Sequence, residues 1–288
     1  MDAVNVYQCT TGTKHEPLEG KGREKRVARL EGLEPPHPAP EASALSTELQ
    51  AHSDILSIRG HLHARARGSE DREIMDLEQR IAAVDQHNTE HQQCVRCVAA
   101  GLLPEAAPVF HGTGSERILL VGQAPGIVEV STRMPFSGRA GGILMQWLLK
   151  AGFRDMADIR ERIYFTSVTT CYPGKAKGGS GDRVPSRREV ALCTPWRAEV
   201  FRLLQPEMII LVGGLALREY LPGLSLSEAI GSVFPTALGK GVSVVPLPHP
   251  SGQSRWLNDV HHREQLAAAL HMIAYLQARA GACINRSQ

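Results

Sequence analysis

Residues 118–142 read ILLVGQAPGIVEVSTRMPFSGRAGG. Four consecutive apolar residues, Ile118, Leu119, Leu120 and Val121, run into Gly122 and predict a strand buried on both faces, as in a parallel sheet. A turn containing Pro125 and Gly126, a loop Pro135-Phe136-Ser137-Gly138 and the start of a helix follow. Open α/β sheets bind ligands beyond the carboxyl ends of their strands, so Gln123, Pro125, Gly126 and Phe136 fall where a ligand is expected.

Outward from this stretch, strands and helices alternate. Residues 144–149 predict a helix closing near Gly152, 163–169 a strand, and 187–204 a helix started by Pro185-Ser186. Residues 208–212 predict a strand, 215–220 a short helix, 242–246 a strand and 259–279 a long terminal helix. The alternation predicts an α/β fold, three-layer α/β/α with a central, mainly parallel sheet. Upstream, Ile74, Met75, Leu77, Ile81, Ala82 and Val84 recur at helical spacing and predict the domain's first helix over 71–88. Residues 1–70 contain Pro35, Pro36, Pro38 and Pro40 and no sustained apolar period, the composition of a loosely ordered tail. The expected organisation is a tail over 1–70, a domain over 71–280 and a short C-terminal tail over 281–288.

A chain of 288 residues, 42% hydrophobic and 22% charged, can bury a substantial core. It contains no apolar run near the roughly 20 residues of a membrane span, and its first residues resemble neither a secretory signal nor a transit peptide. The net charge of +2 is uninformative, but residues 139–202 carry twelve Lys or Arg against six Asp or Glu. Such an excess suits a polyanion, or a solvated face.

Four of the six cysteines form a pattern: Cys94-x-x-Cys97, then Cys171 after a strand and Cys193 on the next helix. Four thiolates satisfy a zinc ion or a [4Fe-4S] cluster; two structural thiols beside a chance or redox C-x-x-C is the alternative. The wide separation of Cys171 from Cys193 leans toward a cluster, since zinc ribbons usually repeat the close pair. Cys9 and Cys283 fit no ligand set. Free thiols favour a reducing, intracellular setting.

Three separated segments carry a family resemblance. Gly122-Gln123-Ala124-Pro125-Gly126 with Pro135-Phe136-Ser137-Gly138-Arg139-Ala140-Gly141, then Leu247-Pro248-His249-Pro250-Ser251-Gly252, together with the cysteine set, resemble the uracil-DNA glycosylase superfamily, in particular its iron-sulfur, family 4-like branch. The resemblance covers about residues 94–274. It implies a DNA-repair enzyme that hydrolyses the N-glycosidic bond of uracil in DNA and leaves an abasic site. It also implies a [4Fe-4S] cluster on Cys94, Cys97, Cys171 and Cys193, and catalysis by His249 with Gln123 at the position of the family's acid; Glu129, the nearest carboxylate in the same loop, is read as a base or electrostatic partner of the sugar cation, or as a solvated loop residue. Uracil contacts are implied at Gly122, Gln123, Ala124, Phe136, Ser167 and His249, and DNA contacts at Arg139, Ser251, Gln253 and Arg255. The expected partner is uracil-containing DNA, single- or double-stranded, bound by a monomeric cytoplasmic protein with no membrane association.

The chain departs from that pattern in three places. Gln123 stands where the family has Glu, and an amide positions water but accepts no proton usefully. Ser167 stands where the branch has Asn, so it matches only part of the uracil edge. The interval after Cys171 is lengthened by the Gly-Lys-rich residues 174–181. Two other functions remain open on sequence. One is a non-hydrolytic or covalent uracil-DNA binder of the same fold, disfavoured because 174–184 contains no histidine nucleophile. The other is a metal-containing nucleotide-binding or redox α/β protein, for which no Gly-rich phosphate motif is present.

Overall fold

Strand β1 (Ile118–Gly122) is flanked by β2 (Ile163–Ser167) and β3 (Met208–Val212), both parallel to it. Beyond β3 come β5 (Ser243–Leu247), also parallel, and the two-residue β4 (Phe234–Pro235), antiparallel at the edge, giving the order β2-β1-β3-β5-β4. The computed structural model describes residues 75–179, 181–235, 241–251 and 255–284, all within one compact unit. Every residue of β1, β2 and β3 is buried, as apolar runs covered on both faces require.

Alternation along β1 divides the core between two layers of helices. Ile118 and Leu120 join Leu144, Met145 and Leu148 of the helix Arg139–Lys150 and Leu266, Leu270 and Ile273 of the terminal helix Val260–Ile284. Leu119 and Val121 join Val190, Val200, Phe201 and Leu204 of the helix Arg187–Leu204, with Val84 and Leu215. This is the three-layer arrangement the alternating elements predicted. No helix among the described residues is long and apolar enough to cross a membrane.

Several expectations shift. The first helix runs Leu77–Gln92, and its buried face is Arg80, Val84, His87 and His91, whereas Leu77 is 52% exposed. Arg80 and His91 find hydrogen-bond partners on the inner face, and His87 packs edge-on against the Trp196 ring. Arg80 Nε donates to the Gly114 carbonyl at 2.6 Å, and the His91 ring is sandwiched between Phe110 and Trp196. Strand β2 ends at Ser167, two residues short of the predicted limit, and β5 lies one residue later than predicted. The helix Arg187–Leu204 has the predicted bounds, fixed by a capping box in which Ser186 and Glu189 satisfy each other's backbone N–H. Short helices Ile127–Thr132 and Met156–Arg162 give too few turns for a periodic signal. The tail over 1–70 and residues 285–288 lie outside the described residues.

Candidate active site

The register of the sheet assembles a cleft. Gly122 pairs with Ser167 and Val212 with Leu247, so the chain leaves β1, β2, β3 and β5 at one common edge. Beyond that edge Gln123, Ala124, Gly126, Phe136, Ser167, His249 and Ser251 line a single cleft of about 1000 Å³, room for a nucleotide rather than a base alone. Glu129 and Arg139 line it as well. Gln253 lies outside the described residues, as does the side chain of Arg255, whose backbone opens a 3₁₀ turn (Arg255–Asn258).

Phe136 crosses the end of β1. Its backbone is left-handed at φ 54°, an unusual conformation for a non-glycine residue, and two glycines make the placement possible. A Cβ on Gly141 would stand 1.9 Å from the Phe136 carbonyl oxygen, and one on Gly122 would stand 2.8 Å from the Phe136 ring and 3.3 Å from Ser167 Oγ. Glycine at 122 therefore lets an aromatic face and a hydroxyl meet over the strand end. Behind Phe136, the Arg160 guanidinium lies 4.6 Å over the Phe165 ring.

His249 is two residues past β5 and packs against Gly213, whose missing side chain leaves the imidazole its place: a Cβ there would touch His249 Cβ and Cδ2 at 3.4 Å. Burial lowers the His249 pKa from its ordinary value, favouring the neutral ring. No described residue hydrogen-bonds the His249 ring, the Ser167 hydroxyl or the Gln123 amide, so all three present their polar atoms to the cleft.

Glu129 has a different environment. Its Oε2 accepts the Gly126 N–H at 3.0 Å and its Oε1 the Gly138 N–H at 2.9 Å. One carboxylate thus clamps the turn after β1 to the loop that carries Phe136.

The inserted residues supply groups that sequence reasoning missed. Residues 174–179 and 181–183 pair as the two arms of a short hairpin, with Ala176 N–H donating to Gly181 O at 3.0 Å and Arg183 N–H to Gly174 O at 2.9 Å. Lys175, Asp182 and Arg183 thereby reach the cleft wall. Arg183 is tied by two bonds, 2.7 and 2.6 Å, to the buried Glu189 carboxylate of the adjoining helix. The only sequence signal was the unusual length of this interval. Similar pairing runs through 139–202, and of its acidic partners only Glu219 lies outside that stretch. Arg154 and Arg162 engage Asp158, Lys175 engages Asp182, Arg197 engages Glu219 and Arg202 engages Glu199. Arg154, Lys175 and Arg202 stay largely exposed in these pairs, so the stretch keeps its excess of basic groups.

Cys94, Cys97, Cys171 and Cys193 line one separate cavity, and none is in a disulfide. Among the described residues no three His, Cys, Asp or Glu are gathered tightly enough for a single metal ion. Four thiols around one cavity give the ligand count of a zinc ion or of a [4Fe-4S] cluster. The surroundings also fit such a centre. Thr169 Oγ1 lines the cavity, buried and without a partner, and the Trp196 indole N–H donates to Cys94 Sγ at 3.1 Å. Burial pushes the Cys97 thiol up to about 11 and the Cys171 thiol up to about 12, so both stay neutral thiols unless a bound cation displaces their protons. A π stack buttresses the site: His91 lies 4.5 Å from the Trp196 ring, and the Arg96 guanidinium caps that ring at 4.8 Å.

Comparison with known proteins adds an independent line. The family model described as the uracil DNA glycosylase superfamily matches residues 110–274. A type-4 uracil-DNA glycosylase of Thermotoga maritima is 31% identical over 160 residues, 54% of this chain and 77% of the relative. One from Archaeoglobus fulgidus is 30% identical over 148 residues, 49% of this chain and 69% of the relative. One from Pyrobaculum aerophilum is 31% identical over 124 residues, 42% of this chain and 56% of the relative.

Proposed function

The chain belongs to the uracil DNA glycosylase superfamily, and from that premise we propose that its cleft binds a uracil nucleotide extruded from DNA and hydrolyses the bond between base and sugar. The observation that carries the reading is the convergence of His249, Ser167, Gln123 and Phe136 on one cleft at the carboxyl edge of a parallel sheet. The reaction separates charge: the glycosidic electron pair leaves with uracil while the sugar becomes cationic. Donors aimed at the departing base therefore supply the largest stabilisation. His249, held neutral by burial and without a described partner, donates an N–H toward uracil O2. Phe136 stacks on the base face, and the backbone at Ala124 approaches its edge, while Gly122 makes room for Phe136 and Ser167. Ser167 contributes a single hydroxyl to base recognition, and Gln123 orients water by hydrogen bonding. Glu129, already accepting two backbone N–H groups, acts by holding the two loops in register. Arg139 and Ser251, which line the cleft, together with Gln253 and Arg255, are the candidates for phosphate and strand contacts.

The thiols of Cys94, Cys97, Cys171 and Cys193 would hold a [4Fe-4S] cluster, which when bound supplies structural cross-linking, since hydrolysis needs no electron transfer. We read the protein as a monomer acting on single- or double-stranded uracil-containing DNA in a reducing intracellular compartment, with 71–280 as the functional domain.

The test is direct. Purified protein incubated with a uracil-containing oligonucleotide is expected to create alkali-sensitive sites at uracil only. Intact strands after alkali would overturn the reading, and a DNA adduct surviving denaturation would favour the covalent binder instead.

A further inference from the structure

Hydrolysis needs an acceptor for a proton of the attacking water, and the two polar groups of the first loop are poorly suited to it. Gln123 is an amide, and both Glu129 oxygens already accept backbone N–H groups. The hairpin supplies another carboxylate. Asp182 Oδ1 accepts from Lys175 Nζ at 2.8 Å and from the Tyr172 hydroxyl at 3.0 Å, which fixes the side chain from behind. Its Oδ2 accepts no hydrogen bond from any described residue, and it lies 3.3 Å from the point a Cβ on Gly126 would occupy. That places the open oxygen against the turn after β1, in the wall shared with His249, Phe136 and Ser167. With its side chain 35% exposed, Asp182 stays within reach of water.

We propose that Asp182 is the catalytic residue that orients and deprotonates the attacking water. The inference rests on the glycosylase reading above and deepens it by naming the base. As the C1′–N1 bond breaks, its electron pair leaves with uracil. The water oxygen forms the new bond to C1′, and its proton passes to Asp182 Oδ2 and then to the released uracil anion or to solvent. Lys175 and Tyr172 are positioning residues: with Oδ1 committed to them, Oδ2 is the oxygen left to face the reacting water. Gly126 is part of the same arrangement, since a side chain there would meet both Asp182 Oδ2 and Glu129 Oε2, the latter at 2.8 Å. The hairpin is closed by its own backbone bonds, so an isosteric change at Asp182 leaves its frame in place.

The experiment compares the unaltered protein with Asp182→Asn on two probes. One is a uracil-containing oligonucleotide followed in a single turnover. The other is the same oligonucleotide carrying 2′-fluoro-2′-deoxyuridine, whose fluorine destabilises the sugar cation and blocks cleavage, used to measure affinity. Asp182→Asn should lower the single-turnover rate by about 10²-fold, the scale of a lost general base, with affinity for the fluorinated probe and melting temperature nearly unchanged. Excision by Asp182→Asn within about threefold of an active parent would overturn the assignment. So would a parallel loss of rate, affinity and melting temperature, which would make Asp182 a folding residue of the hairpin. A parent that releases no uracil would overturn the functional reading itself, and this proposal with it.

Discussion

In the proposed reaction His249 concentrates the chemistry in one ring, and its surroundings make testable statements about protonation. Burial holds its pKa below the ordinary 6.5, so its NMR ring resonances should titrate with a midpoint under that value. The unfolded chain takes up the proton first. The stability tied to the neutral ring is therefore full above about pH 6.5 and is lost as pH falls below it. A His249→Gln variant should lose stability less steeply on acidification, and parallel curves would remove the ring as the cause. In catalysis, His249→Ala should lower the single-turnover rate by about 10² or more in a folded protein, the usual loss for one donor to a developing anion. Ser167→Ala should cost roughly tenfold, the scale of one neutral hydrogen bond at about 1 kcal/mol. A reversed order would show that the pocket had been assigned the wrong way round. His249 was legible because it sits in a local motif after an apolar strand; that Glu129 is a clamp was not, because its partners are backbone N–H groups 3 and 9 residues away.

At the scale of elements, what the sequence conceals is where side chains are satisfied. The helix Leu77–Gln92 was found by its apolar residues, yet it packs through Arg80, Val84, His87 and His91. An apolar period cannot reveal a buried face whose polar groups are neutralised by carbonyls and rings arriving from elsewhere in the chain. Arg80→Met tests that account. It leaves the Gly114 carbonyl without its charged donor and should lower unfolding stability by about 2 kcal/mol in urea titration, although Met fills much of the same volume. An unchanged midpoint would mean that the aliphatic stem, and not the guanidinium, does the holding. The inserted hairpin escaped for the opposite reason. Gly-rich and charged, residues 174–183 carry no periodicity, and only the cross-hairpin bonds and the Arg183 to Glu189 pair show that they turn back toward the cleft.

For the molecule as a whole, the parallel three-layer architecture could be read from alternating buried strands and helices, whereas the strand order β2-β1-β3-β5-β4 could not, because pairing between distant strands leaves no local mark. Removing residues 1–70, which carry no recognised site, should leave single-turnover excision nearly unchanged; a loss on the scale of His249→Ala would assign that segment a part in binding or folding. The cysteine cavity has a further consequence, and it concerns the unfolded chain. Its ligands come from positions 94, 97, 171 and 193, so a centre bound there would tether points about a hundred residues apart and enclose β1, β2, the loop that carries Phe136 and the hairpin. By the loop-closure argument such a tether removes denatured-state freedom worth roughly 4–5 kcal/mol, without one added contact at the cleft. Anaerobic chelation of iron should therefore lower the denaturation midpoint, and identical midpoints with and without metal would show that the cavity staples nothing.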